Sequence, residues 1–185
     1  MSSTVSVFLA DGFEEIEALA VVDLLRRAEI RVTTWSISDS LQLTGRSGIC
    51  VTADQMWDEK SAGEADMLVL PGGQPGTTSL GQHEGLREQL LKAAEEGRFV
   101  AAICAAPTVL AKHGLLKGKK AVCYPGLEAE LIRGGADAGS QSVVRDGKVI
   151  TSRGAGTAIP FALKLIDALE GEDAAEQVRK SIVFE

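Results

Sequence analysis

Apolar residues are distributed along the chain in two ways. Short continuous runs predict buried strands, and stretches with apolar positions three or four residues apart predict amphipathic helices. Val5 to Ala10 (VSVFLA) reads as a buried strand closed by an Asp11-Gly12 turn. Glu14 to Ala28 follows as a helix. In it Ile16, Leu19, Ala20, Asp23 and Leu24 recur at helical spacing, acids crowd the first turn and Arg26-Arg27 sit in the last, as the helix dipole favours. Arg31 to Ile37 is β-branched and strand-like. Leu41 to Asp54 predicts two short antiparallel strands around Gly45, and Asp66 to Gly73 is a buried strand ending in a Pro-Gly-Gly loop.

The second half repeats the alternation. Leu86 to Glu96 is helical with Gly97 as its stop. Phe99 to Cys104 is a strand, followed by a helix to about His113, a strand over Lys120 to Tyr124 and a short helix over Leu127 to Arg133. Ser142 to Ser152 places Asp146-Gly147 between alternating apolar residues, a strong hairpin signal. Gly154 to Thr157 reads as a tight turn opening a helix, and Asp173 to Ser181 as the last helical piece. This βαβ order predicts an α/β fold with a mostly parallel central sheet between layers of helices and right-handed crossovers. With no linker and no internal repeat, residues 1–185 read as one domain.

Composition narrows the function classes. Nineteen basic residues against 26 acidic ones give a net charge of −7, with no basic cluster. Nucleic acid and anionic membrane surfaces are therefore not expected as partners. The first residues lack a basic segment, and the apolar run after them is too short for a signal peptide. Cys50, Cys104 and Cys123 are an odd, widely spaced set, which fits free thiols in a reducing compartment. A cytoplasmic location is the expectation.

In an open parallel sheet, ligands bind beyond the carboxyl ends of the strands. Four such ends carry notable residues: Asp11-Gly12, Pro71-Gly72-Gly73, Cys104-Ala105-Ala106 and Tyr124-Pro125. Cys104 sits at a strand-to-helix turn among small residues, as in a nucleophile elbow, and the helix N-terminus beyond it should favour a thiolate. His113 lies nine residues along that helix, roughly 13 Å away at about 1.5 Å per residue, too far to touch the thiol. His83 is a weak partner on position, and the two histidines show no metal-ligand spacing. Glu14, Glu15 and Glu17 read first as solvated acids of a helix start. Glu17 stands apart, because its neighbours at helical spacing, Ala20 and Val21, are apolar; a carboxyl buried there should resist ionising and hold a proton.

At these residues the chain resembles the ThiJ/PfpI superfamily, in its branch of the parkinsonism-associated protein deglycase. The ordered segments LADGFEEIEA, DLLRRAEIRVT, VLPGG, AAICAAPTVLA and TSRGAGTAIPFAL carry the resemblance across the chain. It implies a flavodoxin-like three-layer sandwich, a homodimer, no cofactor and no metal. It also implies a nucleophile at Cys104 facing a protonated Glu17, with Gly72, Gly73, Ala105 and Tyr124 binding substrate or its oxyanion. Arg27 and Arg153 match arginines of the branch, and a further one falls at Arg46 or Ser47. Two departures matter. Ala105 follows the cysteine where the protease-like members have histidine, which speaks against a peptidase. Tyr124 stands where the deglycase branch has a histidine, which puts a Cys–His mechanism in doubt and leaves a Cys104–Glu17 dyad.

The resemblance thus implies a cofactor-independent cysteine enzyme of the glyoxalase III or protein deglycase type, acting on small 2-oxoaldehydes or on glycated protein. The alternative is a cysteine-based oxidative-stress sensor or redox-regulated chaperone, in which peroxide oxidises Cys104 to a sulfinate that Glu17 stabilises. Fold alone would also admit a flavin module, but no hydroxyl-rich phosphate loop follows the first strand. A glutamine amidotransferase would need a histidine late in the chain, and none lies beyond His113.

Overall fold

Strand β1 (Thr4–Leu9) lies inside a seven-stranded sheet and is paired in parallel with β2 (Arg31–Ser36) on one side and β6 (Met67–Leu70) on the other. The computed structural model describes residues 2–185. Beyond β6 come β7 (Phe99–Ile103), β11 (Val149–Ser152) and the edge strand β10 (Val143–Asp146), and β5 (Gln55–Met56) closes the opposite edge. Every pairing in this sheet is parallel except the β10–β11 hairpin. The chain moves outward from β1 in both directions, so the strand order reverses between β1 and β6. A crevice forms there at the carboxyl ends.

Side chains alternate between the two faces of the strands, and both faces are covered. Val5, Val7 and Leu9 of β1, with Phe99, Ala101 and Ile103 of β7, pack under α1 (Glu15–Arg27), α6 (Ala158–Glu170) and α7 (Glu172–Ser181). Phe8, Val100 and Ala102 face the other layer, formed by α2 (Gly76–Gln82), α3 (Glu84–Glu95), α4 (Pro107–Lys112) and α5 (Glu128–Arg133). Side chains such as Leu25, Leu90 and Phe161 are wholly enclosed, each contributing about 1.5–3 kcal/mol. The mostly parallel, helix-flanked sheet agrees with the expected flavodoxin-like sandwich.

The elements depart from the sequence pattern in three places. The run expected as a strand over Lys120 to Tyr124 does not enter the main sheet. Only β8 (Lys120–Ala121) is extended, and it pairs with β9 (Asp137–Ala138) in a separate ribbon. The free edge of β11 is taken by its own hairpin partner β10, so the Val122 N–H donates instead to the Thr151 hydroxyl at 2.9 Å. Helix α2 was not expected, since GTTSLGQ has little helical periodicity. It forms because the Thr77 N–H and hydroxyl both donate to the Gly73 carbonyl at 2.8 Å and Leu80 is buried beneath it. Strand β5 was also unforeseen, and it pairs over only two residues with β2. The antiparallel pair β3 (Gln42–Thr44) and β4 (Cys50–Thr52) forms where it was expected.

Candidate active site

Five buried residues of β7 run directly into Cys104, whose φ is +66°. Few residues other than glycine adopt this left-handed conformation, at a cost of about 1–3 kcal/mol. The surroundings hold the turn in place. The Cys104 N–H donates to the Ser152 carbonyl at 2.9 Å, its carbonyl accepts the Tyr124 N–H at 2.7 Å, and the Ala106 N–H closes the turn on Ile103 at 3.1 Å. A Cβ on Gly72 would stand 2.7 Å from the Cys104 Cβ and 2.6 Å from Glu17 Oε2, so only glycine fits between the two functional groups.

Glu17 reaches the same place from α1 and is 1% exposed. Its Oε2 accepts the Gly72 N–H at 2.9 Å, so that donor orients the carboxyl and is not free for a substrate oxygen. Its Oε1 is buried without a partner. No hydrogen bond of regular geometry joins the carboxyl to the thiol, yet the two are close enough to shift each other's protonation. Burial pushes Glu17 up to about 7, against the Cys104 and Gly72 hydrogen-bonding contributions. Burial, then the charge of Glu17, pushes the Cys104 thiol up to about 12, while the backbone N–H groups of Ala105 and Gly73 pull it down.

By position alone, the helix N-terminus beyond Cys104 should supply a thiolate. The structure corrects this, because α4 has only six residues and burial beside a carboxylate outweighs the local N–H groups. The two groups form one coupled unit: near neutral pH the carboxyl titrates while the thiol beside it keeps its proton.

The crevice encloses about 410 Å³ and is bordered by Arg46, Gly73, Cys104, Ala105, Tyr124 and Leu127. Of Arg46 and Ser47, Arg46 is the one that borders the crevice. The Ser47 N–H is engaged by Glu15 Oε1 at 2.8 Å. Glu14 and Glu15, read as solvated acids, are both buried, because the β3–β4 hairpin folds over the helix start. Glu14 pairs with Arg46 at 3.2 Å, and Glu15 accepts the N–H groups of Ser47 and Ile49. No local signal marks either acid, since their partners lie more than thirty positions away.

The other candidates lie elsewhere. His83 caps α3, its Nδ1 accepting the Leu86 N–H at 3.0 Å, with its ring edge-on to Trp57. His113 is half-buried at the end of α4. Neither borders the crevice. Arg27 pairs with Asp23 on α1, and Arg153 donates to the Ser140 carbonyl at 3.3 Å. Cys123 is buried, and burial raises its thiol to about 11; Cys50 is exposed on β4. Among the described residues no group of three or more His, Cys, Asp or Glu is placed to hold a metal ion. No helix among them is long and apolar enough to cross a membrane.

A strained cysteine at a strand-to-helix turn, a buried glutamate behind it and two backbone N–H groups at the sulfur make a coherent constellation. The family model described as the DJ-1/PfpI family matches residues 3–168. The chain belongs to that family. It is 37% identical to the Drosophila melanogaster protein dj-1beta, over 99% of this chain and 98% of that one. The crystal structure of Drosophila DJ-1beta superposes with a TM-score of 0.94 at 36% identity, covering both chains fully. The glutathione-independent glyoxalase DJR-1.2 of Caenorhabditis elegans is 31% identical, over 91% of this chain and 89% of its own. An oxidized DJ-1 of Toxoplasma gondii superposes with a TM-score of 0.93 at 34% identity, over 99% of each chain. As a DJ-1/PfpI protein the chain has a DJ-1-type function; its substrate and catalytic residues are a further question.

Proposed function

We propose that the protein is a cofactor-independent cysteine enzyme acting on 2-oxoaldehydes, free or as early adducts on protein amino and thiol groups. The observation that carries this reading is the coupled Cys104–Glu17 pair at the floor of an open crevice. Cys104 attacks the aldehyde carbon as its thiol proton passes to the Glu17 carboxylate, giving a hemithioacetal. The N–H groups of Gly73 and Ala105 receive the developing oxyanion. Gly72 holds Glu17, and Tyr124 lines the wall. Glu17 passes the thiol proton on to the ketone oxygen and, as a carboxylate again, moves the proton of the aldehyde carbon to the neighbouring ketone carbon, leaving a 2-hydroxyacyl thioester. Water hydrolyses it, restores the thiol and releases the 2-hydroxy acid. One carbon is oxidised and its neighbour reduced, so methylglyoxal plus water gives lactate with no external electron acceptor.

The kinship with a glutathione-independent glyoxalase supports this class of reaction. Lactate formation from methylglyoxal by wild type, Cys104→Ser and Glu17→Gln tests it. Both variants should lose activity, and equal rates in all three would sink the idea. Because the pair gains its one negative charge near pH 7, kcat/KM should rise with pH through about 7 and then level off.

The partial exposure of Cys104 and the oxidized state of the Toxoplasma relative favour a second reading, a peroxide sensor built on the same thiol. Intact-mass measurement after mild peroxide should then show two oxygens added to wild type and none to Cys104→Ser. Absence of that selective gain would remove the sensor. A homodimer accompanies either reading: Ile16 (58% exposed) on α1 and Ile49 (54%) on the adjoining hairpin loop form an apolar edge suited to a second copy. Light scattering should show a dimer for wild type and a monomer for Ile16→Lys with Ile49→Lys.

A further inference from the structure

Tyr124 is the only tyrosine in the chain, and its side chain stands 53% exposed at the mouth of the crevice. Among the described residues its hydroxyl has no hydrogen-bond partner, so no tether explains the placement. Its backbone, in contrast, is fixed by the 2.7 Å hydrogen bond to the Cys104 carbonyl. The ring also lies close to the sulfur. A Cβ built on Gly154 would meet Tyr124 Cδ2 at 3.5 Å and Cys104 Sγ at 4.0 Å, so both border the same open space above bare backbone. Pro125 and Leu127 extend that wall with apolar surface. Methylglyoxal, with five heavy atoms, leaves most of a space of about 410 Å³ unfilled.

We infer that the Tyr124–Pro125–Leu127 wall is a subsite for the substituent on the ketone carbon, and that it selects flat aryl 2-oxoaldehydes over methylglyoxal. This rests on the proposed 2-oxoaldehyde chemistry and names its substrate class. With the aldehyde carbon at Cys104 Sγ, the ring that flanks the same glycine as the sulfur is within reach of the ketone substituent. An aryl group stacked on that face gains an aromatic contact that a methyl group cannot make. Arg46, the charged residue on the crevice border, provides the charge to meet the carboxylate of the released 2-hydroxy acid.

The experiment compares kcat/KM for phenylglyoxal and methylglyoxal in wild type, Tyr124→Phe and Tyr124→Ala. The ratio of the two substrates in each variant, set against the wild-type ratio, cancels their different intrinsic reactivity. Tyr124→Phe should keep the preference within about twofold, and Tyr124→Ala should lower it about tenfold. An unchanged ratio in Tyr124→Ala, or an equal loss on both substrates, overturns the subsite while leaving the reaction standing. If wild type turns over neither aldehyde, the reaction itself has failed. The subsite is then judged by binding of mandelate and lactate, followed by NMR. Mandelate should bind wild type about tenfold more tightly than it binds Tyr124→Ala, with no such difference for lactate. Equal mandelate affinities would overturn the inference.

Discussion

Glu15 and Glu17 stand two positions apart on one helix, both buried, and their acidities move in opposite directions. Residues at this spacing point to different faces, so the two carboxyls enter different surroundings. Glu17 goes down toward the sheet ends, where a single N–H, that of Gly72, meets its carboxyl; in both acids the other oxygen has no partner. Burial dominates there and the group keeps its proton to about pH 7. Glu15 goes under the hairpin loop. Burial again opposes its charge, but N–H groups of its own residue, Ser47 and Ile49, with the Ser47 side chain, outweigh it and hold the carboxyl below its usual range. Burial therefore does not decide protonation. The supply of donors does, and α1 uses that difference to set an anchoring anion beside a proton carrier.

The largest effect that would separate the two is catalytic: Glu17→Gln should lower kcat/KM for methylglyoxal by about 10²–10⁴, the usual worth of a positioned acid–base group. Stability should respond with the opposite sign. The native pKa of Glu17 lies above its unfolded value of 4.5, so its contribution is full below that value and is lost as pH rises through about 7. Glu17→Gln should escape this loss and gain on the order of 3 kcal/mol relative to wild type between pH 4.5 and 8, measured by denaturant unfolding. Glu15→Ala should instead destabilise at neutral pH by about 1–3 kcal/mol, because two N–H groups lose their acceptor. That deficit should shrink as pH falls through the lowered pKa of Glu15, where the wild-type anion is lost too. The smallest change belongs to Arg46→Ala. It breaks the half-exposed pair with Glu14, and its effect on the unfolding midpoint should correspond to less than about 1 kcal/mol.

The same contrast explains what could be read before the fold was known. Glu17 was legible because its environment is local: Ala20 and Val21 already mark the buried face of the helix. Cys104 was legible because small residues on both sides of a strand end leave room for a tight turn. Glu14 and Glu15 were not, since their partners come from a hairpin thirty positions downstream. The course of residues 120–124 departs from its sequence pattern for a related reason. Their extended pattern is real, but the place beside β11 is filled by β10, joined to it by a two-residue turn. Helix α2 leaves no mark in the sequence because its order comes from the Gly73 carbonyl and one buried leucine rather than from periodicity.

The backbone of Cys104 is held from downstream, by Tyr124 and Ser152. On the ribosome the thiol therefore emerges well before the segments that bend it into its strained turn. At roughly 5–20 residues per second the wait before Ser152 is made is on the order of several seconds. During that interval the Cys104 N–H lacks the Ser152 carbonyl that accepts it in the finished fold. The strained turn is complete only with β11, so a chain cut short before it would carry the cysteine without the Ser152 carbonyl that holds its N–H.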